Sequence, residues 1–325
     1  MYNNYIGIDI GKQTFFVSIN QSKHVKEYIN DSSGIKLFLC ENKSSLLEGL
    51  CILESTGGHE LNLLLSICKS GYKVHKANTR KVKHFIRSYG NEAKTDRLDS
   101  IALSRYGKER ASSLSAFKMP SKNALKLFDL AQRRLDLKTM IVAEKNRIQG
   151  PRASTIKKSC STVLKVLTKE VDAVSKEIDS MINDSEDLAQ KKEILKTIPG
   201  VGDITANNLI ILLPELGSLS RQQIASLAGV APCANDSGKY HGYRSTRHGR
   251  NGIKPILFMS AMAAIKSHSS LAAFYSKLIA NGKKKMVALV AVMRKIIVIA
   301  NARLKEHLQQ LETITKVSSS CSKEC

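Results

Sequence analysis

The sequence predicts an α/β domain followed by a mainly helical region, and three observations carry that prediction. Residues 5–19 (YIGIDIGKQTFFVSI) alternate in hydropathy and are rich in β-branched side chains, the pattern of half-buried strands. Short apolar stretches at 49–53 and 72–76 flank a helical pattern over 60–69, which gives the first hundred residues α/β character. Between 121 and 196 aromatic residues nearly vanish, and Leu, Val and Ile recur at spacings of three and four among Lys and Glu, as in long helices.

The first alternating stretch divides into two strands at a tight turn near Gly11 and Lys12, and Asp9 interrupts the first of them. Residues 91–106 read as the entry into a helix. Within 121–196, Val163, Val166, Leu167, Val171, Val174, Ile178 and Met181 fit a heptad-like seam, and Gly150-Pro151 is a natural place for the chain to break or reverse. The segment is an antiparallel helical hairpin or a dimerising coiled coil. Residues 195–202 (LKTIPGVG) then open a second, helix-rich domain. The apolar run 286–304 contains Arg294 and Lys295, which argues for a packed helix rather than a membrane span. After Thr315, Ser and Lys dominate, and the chain reads as a disordered tail. The expected division is 1–118, 119–194, 195–314 and a tail, 315–325.

Lys and Arg total 51 against 28 Asp and Glu, a formal net charge of +23 over 325 residues. A field of that sign favours polyanions, and nucleic acid is the leading partner class. The N-terminus, MYNNYIGIDIG, lacks the charged start and apolar core of a signal peptide, so the expectation is a cytoplasmic protein that does not engage a membrane. From 237 to 305 there is no Asp or Glu while fourteen Lys and Arg occur, whereas a generic solvated face mixes both signs. The seven cysteines (Cys40, Cys51, Cys68, Cys160, Cys233, Cys321 and Cys325) are odd in number and contain no C-x-x-C pair, so they read as free thiols.

Four carboxylates form the first candidate site: Asp9 within a strand, Glu54 just after another, and Asp96 with Asp99 in KTDRLDS. A spacing of three puts Asp96 and Asp99 on one helix face. An acid in a strand is costly to bury without a partner, and Mg²⁺ or Mn²⁺ would supply one. Taken singly, each residue reads better as a turn cap (Asp9), an exposed loop residue (Glu54) or a helix cap (Asp96, Asp99); taken in this order, the set favours a metal site. The second constellation is Asn235-Asp236-Ser237-Gly238, followed by His241, Arg244, Arg247, His248, Gly249 and Arg250. A serine attacks phosphorus only if exposed, deprotonated and set among cations. From spacing alone, a plain turn with DNA-holding arginines is the better reading. The third is Ile198-Pro199-Gly200-Val201-Gly202, which looks like the hairpin of a helix–hairpin–helix, with Gly200 and Gly202 letting backbone N–H groups approach a phosphate. A helix–turn–helix connection is nearly as good an account.

At these residues the chain resembles bacterial insertion-sequence transposases of the IS-one-ten family, relatives of the Piv-type DNA invertases. The matching stretches are GIDIGK at 7–12, ESTG at 54–57, KTDRLD at 94–99, IPGVG at 198–202, Asp236-Ser237-Gly238, and residues 288–295. The resemblance implies a RuvC-like, RNase H-like N-terminal domain whose D-E-D-D set, here Asp9, Glu54, Asp96 and Asp99, binds Mg²⁺. It implies a mainly helical C-terminal transposase domain in which Ser237 forms a covalent phosphoserine link to DNA. It also implies guidance by a bridge RNA and a bacterial, nucleoid-associated setting. Ala234-Asn235 departs from the Asn-Arg that often precedes the family's D-S-G, so the cation expected beside the nucleophile is either missing or supplied by Arg244 or Arg247.

The expectation is therefore a DNA recombinase in which Ser237 and the metal-binding carboxylates form a composite site. Lys12, Lys94, Gly200, Gly202, Lys239, Arg244, Arg247, Arg250 and Lys254 would contact nucleic acid, and residues 121–196 would join subunits into a dimer or tetramer. Three rivals stand beside it: a Mg²⁺-dependent junction nuclease in which water attacks, a non-catalytic DNA-architectural protein, and a sugar-kinase-like ATPase. The last lacks a second Asp-Gly phosphate turn.

Overall fold

A computed structural model describes residues 2–90, 95–151 and 153–321, with side chains described as far as Thr313. The chain forms two compact units, Met1–Pro120 and Ser121–Cys325. The boundary falls two residues after the expected one.

The first unit is built on a five-stranded mixed sheet. Strands β1 (Asn4–Ile10) and β2 (Thr14–Ile19) are the predicted pair, closed by Gly11 N–H donating to the Thr14 carbonyl across the Lys12-Gln13 turn at 2.8 Å. β3 (Lys26–Ile29) follows, then helices α1 (Ser32–Glu41) and α2 (Lys43–Leu47), β4 (Gly49–Glu54), α3 (Leu61–Lys69), β5 (Lys73–Ala77), α4 (Thr79–Arg87) and α5 (Asp96–Arg110). The strand order is β3-β2-β1-β4-β5, antiparallel across β3, β2 and β1 and parallel across β1, β4 and β5. Alternation along β1 sorts its side chains into two cores. Ile6, Ile8 and Ile10 pack with Phe38, Leu63 and Ile67 on one face. Tyr5 packs with Leu50, Ile52, Leu103 and Tyr106 on the other.

On that second face α5 lies across β1 closely enough that a side chain at Gly7 has no room. A Cβ there would stand 2.0 Å from the Ser100 carbonyl oxygen and 2.2 Å from the Ser104 nitrogen. Gly107 is excluded from a larger side chain by Ile52 in the same way. The Ser104 hydroxyl donates to the Tyr5 carbonyl at 2.7 Å and accepts from Gln21 N–H at 3.0 Å. Small residues at 100, 104 and 107 thus let the helix approach the sheet backbone, and α5 runs antiparallel to β1.

The second unit begins with α6 (Lys122–Gln149) and α7 (Ser154–Asn183), two long helices packed along each other and reversed at the predicted Gly150-Pro151. Then come α8 (Glu186–Lys196), α9 (Asp203–Leu212), α10 (Arg221–Leu227), four two-residue strands β6 (Pro232–Cys233), β7 (Asp236–Ser237), β8 (Tyr240–His241) and β9 (Ser245–Thr246), and helices α11 (Ile253–Ala264), α12 (Ser270–Ala280) and α13 (Lys285–Cys321). The apolar run expected to be a packed helix is the first half of α13, whose Ala288, Leu289, Val292, Met293, Ile296, Ile297, Ala300 and Leu304 are buried. Leu127, Ala131, Ile178 and Ile182, at the base of the α6–α7 hairpin, belong to the same apolar core as these residues. The expected separation of 119–194 from 195–314 is therefore absent, because one core runs through both.

Two further expectations are corrected. The hairpin seam on α7 runs through Cys160, Leu164, Leu167, Val171, Val174 and Ile178, while Val163 and Val166 face solvent. The segment read as a tail is helical as far as Cys321. Among the described residues no helix is long and apolar enough to cross a membrane. Cys40, Cys51, Cys68, Cys160 and Cys233 are free thiols, as expected.

Candidate active site

The carboxylates gather at one end of the parallel strands. Tyr5, Gly7 and Asp9 share the face of β1 that α5 covers, and Leu50, Ile52 and Glu54 share the same face of β4. The β1–β4 register pairs Ile8 with Leu53, so Asp9 and Glu54 occupy neighbouring positions at the strand ends. Because α5 runs antiparallel to β1, its first turn, with Asp96 and Asp99, arrives over that same end. The helix cap is Thr95, whose hydroxyl accepts from Leu98 N–H, so neither aspartate is needed for capping.

The electrostatics record this convergence. Burial first, and then the charges of Asp99, Asp96 and Glu54, together push the Asp9 carboxyl up to about 7. Three acids directed at a fourth, buried one form a donor set that suits a hard divalent cation, whose charge would relieve the repulsion on Asp9. Among the described residues no three His, Cys, Asp or Glu side chains stand at metal-sharing distance. The two observations are compatible, since like charges separate when no cation draws them together.

One functional-looking residue escaped the sequence reading. Glu60 is 2% exposed and organises the loop that follows Glu54. Its carboxylate accepts from the Ser55 hydroxyl at 3.1 Å, Thr56 N–H at 3.1 Å and Gly58 N–H at 2.9 Å, and pairs with Lys76 of β5 at 2.8 Å. Burial alone would raise this carboxyl, but the Lys76 bond and the backbone N–H groups prevail and hold it down at about 2. The signal was present as an acid closing a short, glycine-rich loop, with a lysine one strand away.

Ser237 lies in the other unit, near the tip of a thin β-ribbon. β6 pairs with β9 and β7 with β8, in the registers Pro232↔Thr246, Cys233↔Ser245, Asp236↔His241 and Ser237↔Tyr240. Gly242 N–H donates to the Asn235 carbonyl at 3.1 Å. Between the inner and outer rungs Ala234 therefore faces both Tyr243 and Arg244, the two-against-one arrangement of a β-bulge. The tip is the two-residue turn Gly238-Lys239, with Gly238 at φ +55°. Ser237 is exposed and shares a face with Tyr240, while Asp236 and His241 occupy the opposite face. There His241 Nδ1 lies 3.7 Å from Asp236 and Arg244 donates to it at 3.4 Å.

The predicted contact residues divide accordingly. Lys12 sits at the turn beside the acids. Lys94 lies outside the described residues. Lys239 and Arg244 lie on the ribbon with Ser237, and Arg247, just past it, bonds the Ser245 hydroxyl. Arg250 is a correction: its guanidinium grips Glu215 at 2.6 and 2.7 Å and the Leu212 carbonyl at 2.7 Å, anchoring the chain after the ribbon. Lys254, half-buried, donates to the Thr246 carbonyl at 3.4 Å. The predicted turn between two helices forms between α8 and α9, but its glycines differ. A Cβ on Gly200 would stand 2.2 Å from the Ser260 carbonyl oxygen, so that residue serves internal packing. Gly202 opens onto free space ahead of α9.

Residues 6–151 match a transposase family model of the DEDD type, and residues 192–276 match the model described as Transposase IS116/IS110/IS902 family. The chain belongs to the IS116/IS110/IS902 family of transposases. The two family models cover both units, in the order in which the acids and the serine occur. Among its relatives, the Pilin gene-inverting protein of Moraxella lacunata is 28% identical over 94% of this chain and 97% of its own length. Its namesake in Moraxella bovis is 27% identical over the same shares. An Insertion element IS110 protein of Streptomyces coelicolor is 31% identical over 35% of this chain and 28% of its own. As a family member the chain is an enzyme of DNA strand cleavage and transfer, and DNA is its substrate.

Proposed function

We propose that the chain recombines DNA through a covalent phosphoserine intermediate, with the acids of a RuvC-like, RNase H-like domain and the serine of a transposase domain each supplying part of the chemistry. The strand order β3-β2-β1-β4-β5, with acids at the ends of β1 and β4, supports the RNase H-like reading. The observation that carries the proposal is the placement of Asp9, Glu54, Asp96 and Asp99 at one end of the sheet, where burial and then the three other carboxylates raise Asp9. Asp9, Glu54, Asp96 and Asp99 would hold Mg²⁺ or Mn²⁺, and the bound cation would neutralise charge on a phosphodiester.

Ser237 Oγ then attacks phosphorus. A bond from Oγ to phosphorus forms as the bond to the leaving deoxyribose oxygen breaks, and the hydroxyl proton ends on that oxygen. The ester energy is kept in the link, so a second strand can displace the serine without ATP. Asp236 and His241 face away from Ser237, which assigns them to holding Arg244 and the ribbon rather than to deprotonating the serine. Lys239, Arg244 and Arg247 hold the strand, and Gly202 approaches a phosphate at the start of α9. Inversion of a DNA segment, by analogy with the pilin gene-inverting relatives, and guidance by a bridge RNA belong to the same proposal. So does pairing of subunits through the α6–α7 hairpin, which leaves Val142, Val163 and Val166 exposed.

The test is a denaturing gel of the chain, co-expressed with its flanking element and mixed with labelled junction DNA and Mg²⁺. A denaturant-resistant protein–DNA adduct that disappears in Ser237→Ala is the expected result. Equal cutting by both proteins with no adduct would make water the nucleophile and overturn the proposal.

A further inference from the structure

Between Glu60 and Glu92 the chain has no Asp or Glu, while seven Lys and Arg occur. Most of this charge is gathered by α4. Val82 and Phe85 turn into the core beneath the helix, and every long side chain on its outer face is basic: Arg80, Lys81, Lys83, His84 and Arg87, all exposed. Among the described residues none of these five takes part in an ion pair, whereas nearby Lys76 is held by Glu60. A generic solvated helix carries both signs, as α5 does in its Arg105–Glu109 pair.

The position of α4 is fixed relative to the acids. β5 ends at Ala77, which is in register with Glu54. Asn78 caps the helix, accepting from Arg80 and Lys81 N–H. The Thr79 hydroxyl then donates to the carbonyl of Ser55, the residue after Glu54, at 3.2 Å. Val82 and Phe85 share the core of Leu103 and Tyr106 of α5, so α4 lies on the acid-bearing face of the sheet. A cationic ridge is thereby hooked to the loop that carries one of the four carboxylates. Nine residues of helix extend about 13 Å, the length of about four nucleotides of a duplex strand.

We infer that the outer face of α4 is a DNA-backbone clamp that grips the duplex beside the carboxylate end of the sheet. The inference rests on the reading of those carboxylates as the DNA-cutting site. Acids that repel one another also repel phosphate, so a strand can lie against them only if cations nearby offset that repulsion. α4 supplies such cations, and its contacts are sequence-independent because they meet phosphate rather than base edges.

The test measures binding of full-length protein to a fluorescein-labelled duplex by anisotropy, in EDTA, from 50 to 300 mM salt. Each phosphate that is no longer neutralised lowers the slope of log K against log salt by about 0.9. The variant Arg80→Gln, Lys83→Gln, Arg87→Gln should lower that slope by about 2–3 and weaken binding at 100 mM salt by about 10- to 100-fold. A control of similar type at the far end of β5, Lys69→Gln with Lys73→Gln, should change the slope by less than about 1. Arg80→Lys with Arg87→Lys should bind as wild type, which separates lost charge from lost folding. A triple variant that matches the wild-type slope overturns the inference. So does a loss seen with RNA of the same sequence but not with DNA. Because no cleavage is read, the result is independent of whether the carboxylates and Ser237 carry out the chemistry.

Discussion

Asp9 belongs to a strand paired on both sides and lies under a helix that touches the strand's backbone, whereas Ser237 belongs to a two-residue strand with solvent on either face. The contrast follows from what each group must do. Four acids at one place repel one another, so the backbone that carries them must be stiff enough for their side chains to close on a single cation. A nucleophile that must reach a phosphate inside a duplex needs to project from the protein. The acid end is therefore embedded in the fold, and the serine is carried on a ribbon that contributes almost nothing to the core.

Substitutions at the two places should behave oppositely, and the largest difference is expected between Gly7 and Ser237. Gly7→Ala drives a methyl group into the Ser100 carbonyl and should cost the first unit more than about 3 kcal/mol. Limited proteolysis should show that unit opening while the second stays resistant. On the ribbon, Ser237→Ala should abolish the adduct yet leave the melting transition within about 0.5 kcal/mol. A clear loss of stability there would mean that the ribbon is packed rather than projecting.

Asp9→Asn sharpens the comparison by its sign. A carboxyl raised from 3.8 to about 7 costs stability progressively as the pH rises through that window, and the full cost is present above 7. The variant should lose cleavage and at pH 8 gain about 1–3 kcal/mol in metal-free buffer. The gain should vanish near pH 4. A variant less stable than wild type at pH 8 would show that neither burial nor the neighbouring acids penalise the charged Asp9 carboxylate.

Glu60 has the reverse sign. Its carboxyl is held near 2 against an ordinary 4.5, so the stability it supplies is present above 4.5 and is lost as the pH falls towards 2. Glu60→Gln should cost about 2–3 kcal/mol at pH 7. In urea melts the gap to wild type should narrow between pH 6 and pH 3. A constant gap would mean that the Lys76 pair adds nothing.

The sheet was legible where β-branched alternation was strong, in β1, β2, β4 and β5. β3 was not, because Tyr28 is its one buried residue and four residues with one inward side chain leave no period to read. The acids were visible as a set because each stands at a strand end or in a helix's first turn, positions that sequence pattern does fix. Arg250 was misread because a run of cations does not reveal that one of them has a partner, Glu215, in an earlier part of the chain. The seam of α7 was misplaced because two interleaved valine frames compete, and a cysteine, Cys160, holds the first position of the true one. The ribbon was invisible, since strands of two residues have no periodicity and their pairing is a matter of tertiary register.

The contact between Gly7 and α5 also bears on the order in which the protein is made. It joins positions more than ninety residues apart, and the parallel β1–β4 pairing closes a loop of more than forty. Neither can form until most of the first unit has left the ribosome, and both close slowly compared with a helix or the β1–β2 turn. The acidic end is thus among the last features of that unit to be completed. Chains cut short before α5 have Asp9 and Glu54 but no Asp96 or Asp99, so truncated products of translation are born without a complete set of acids.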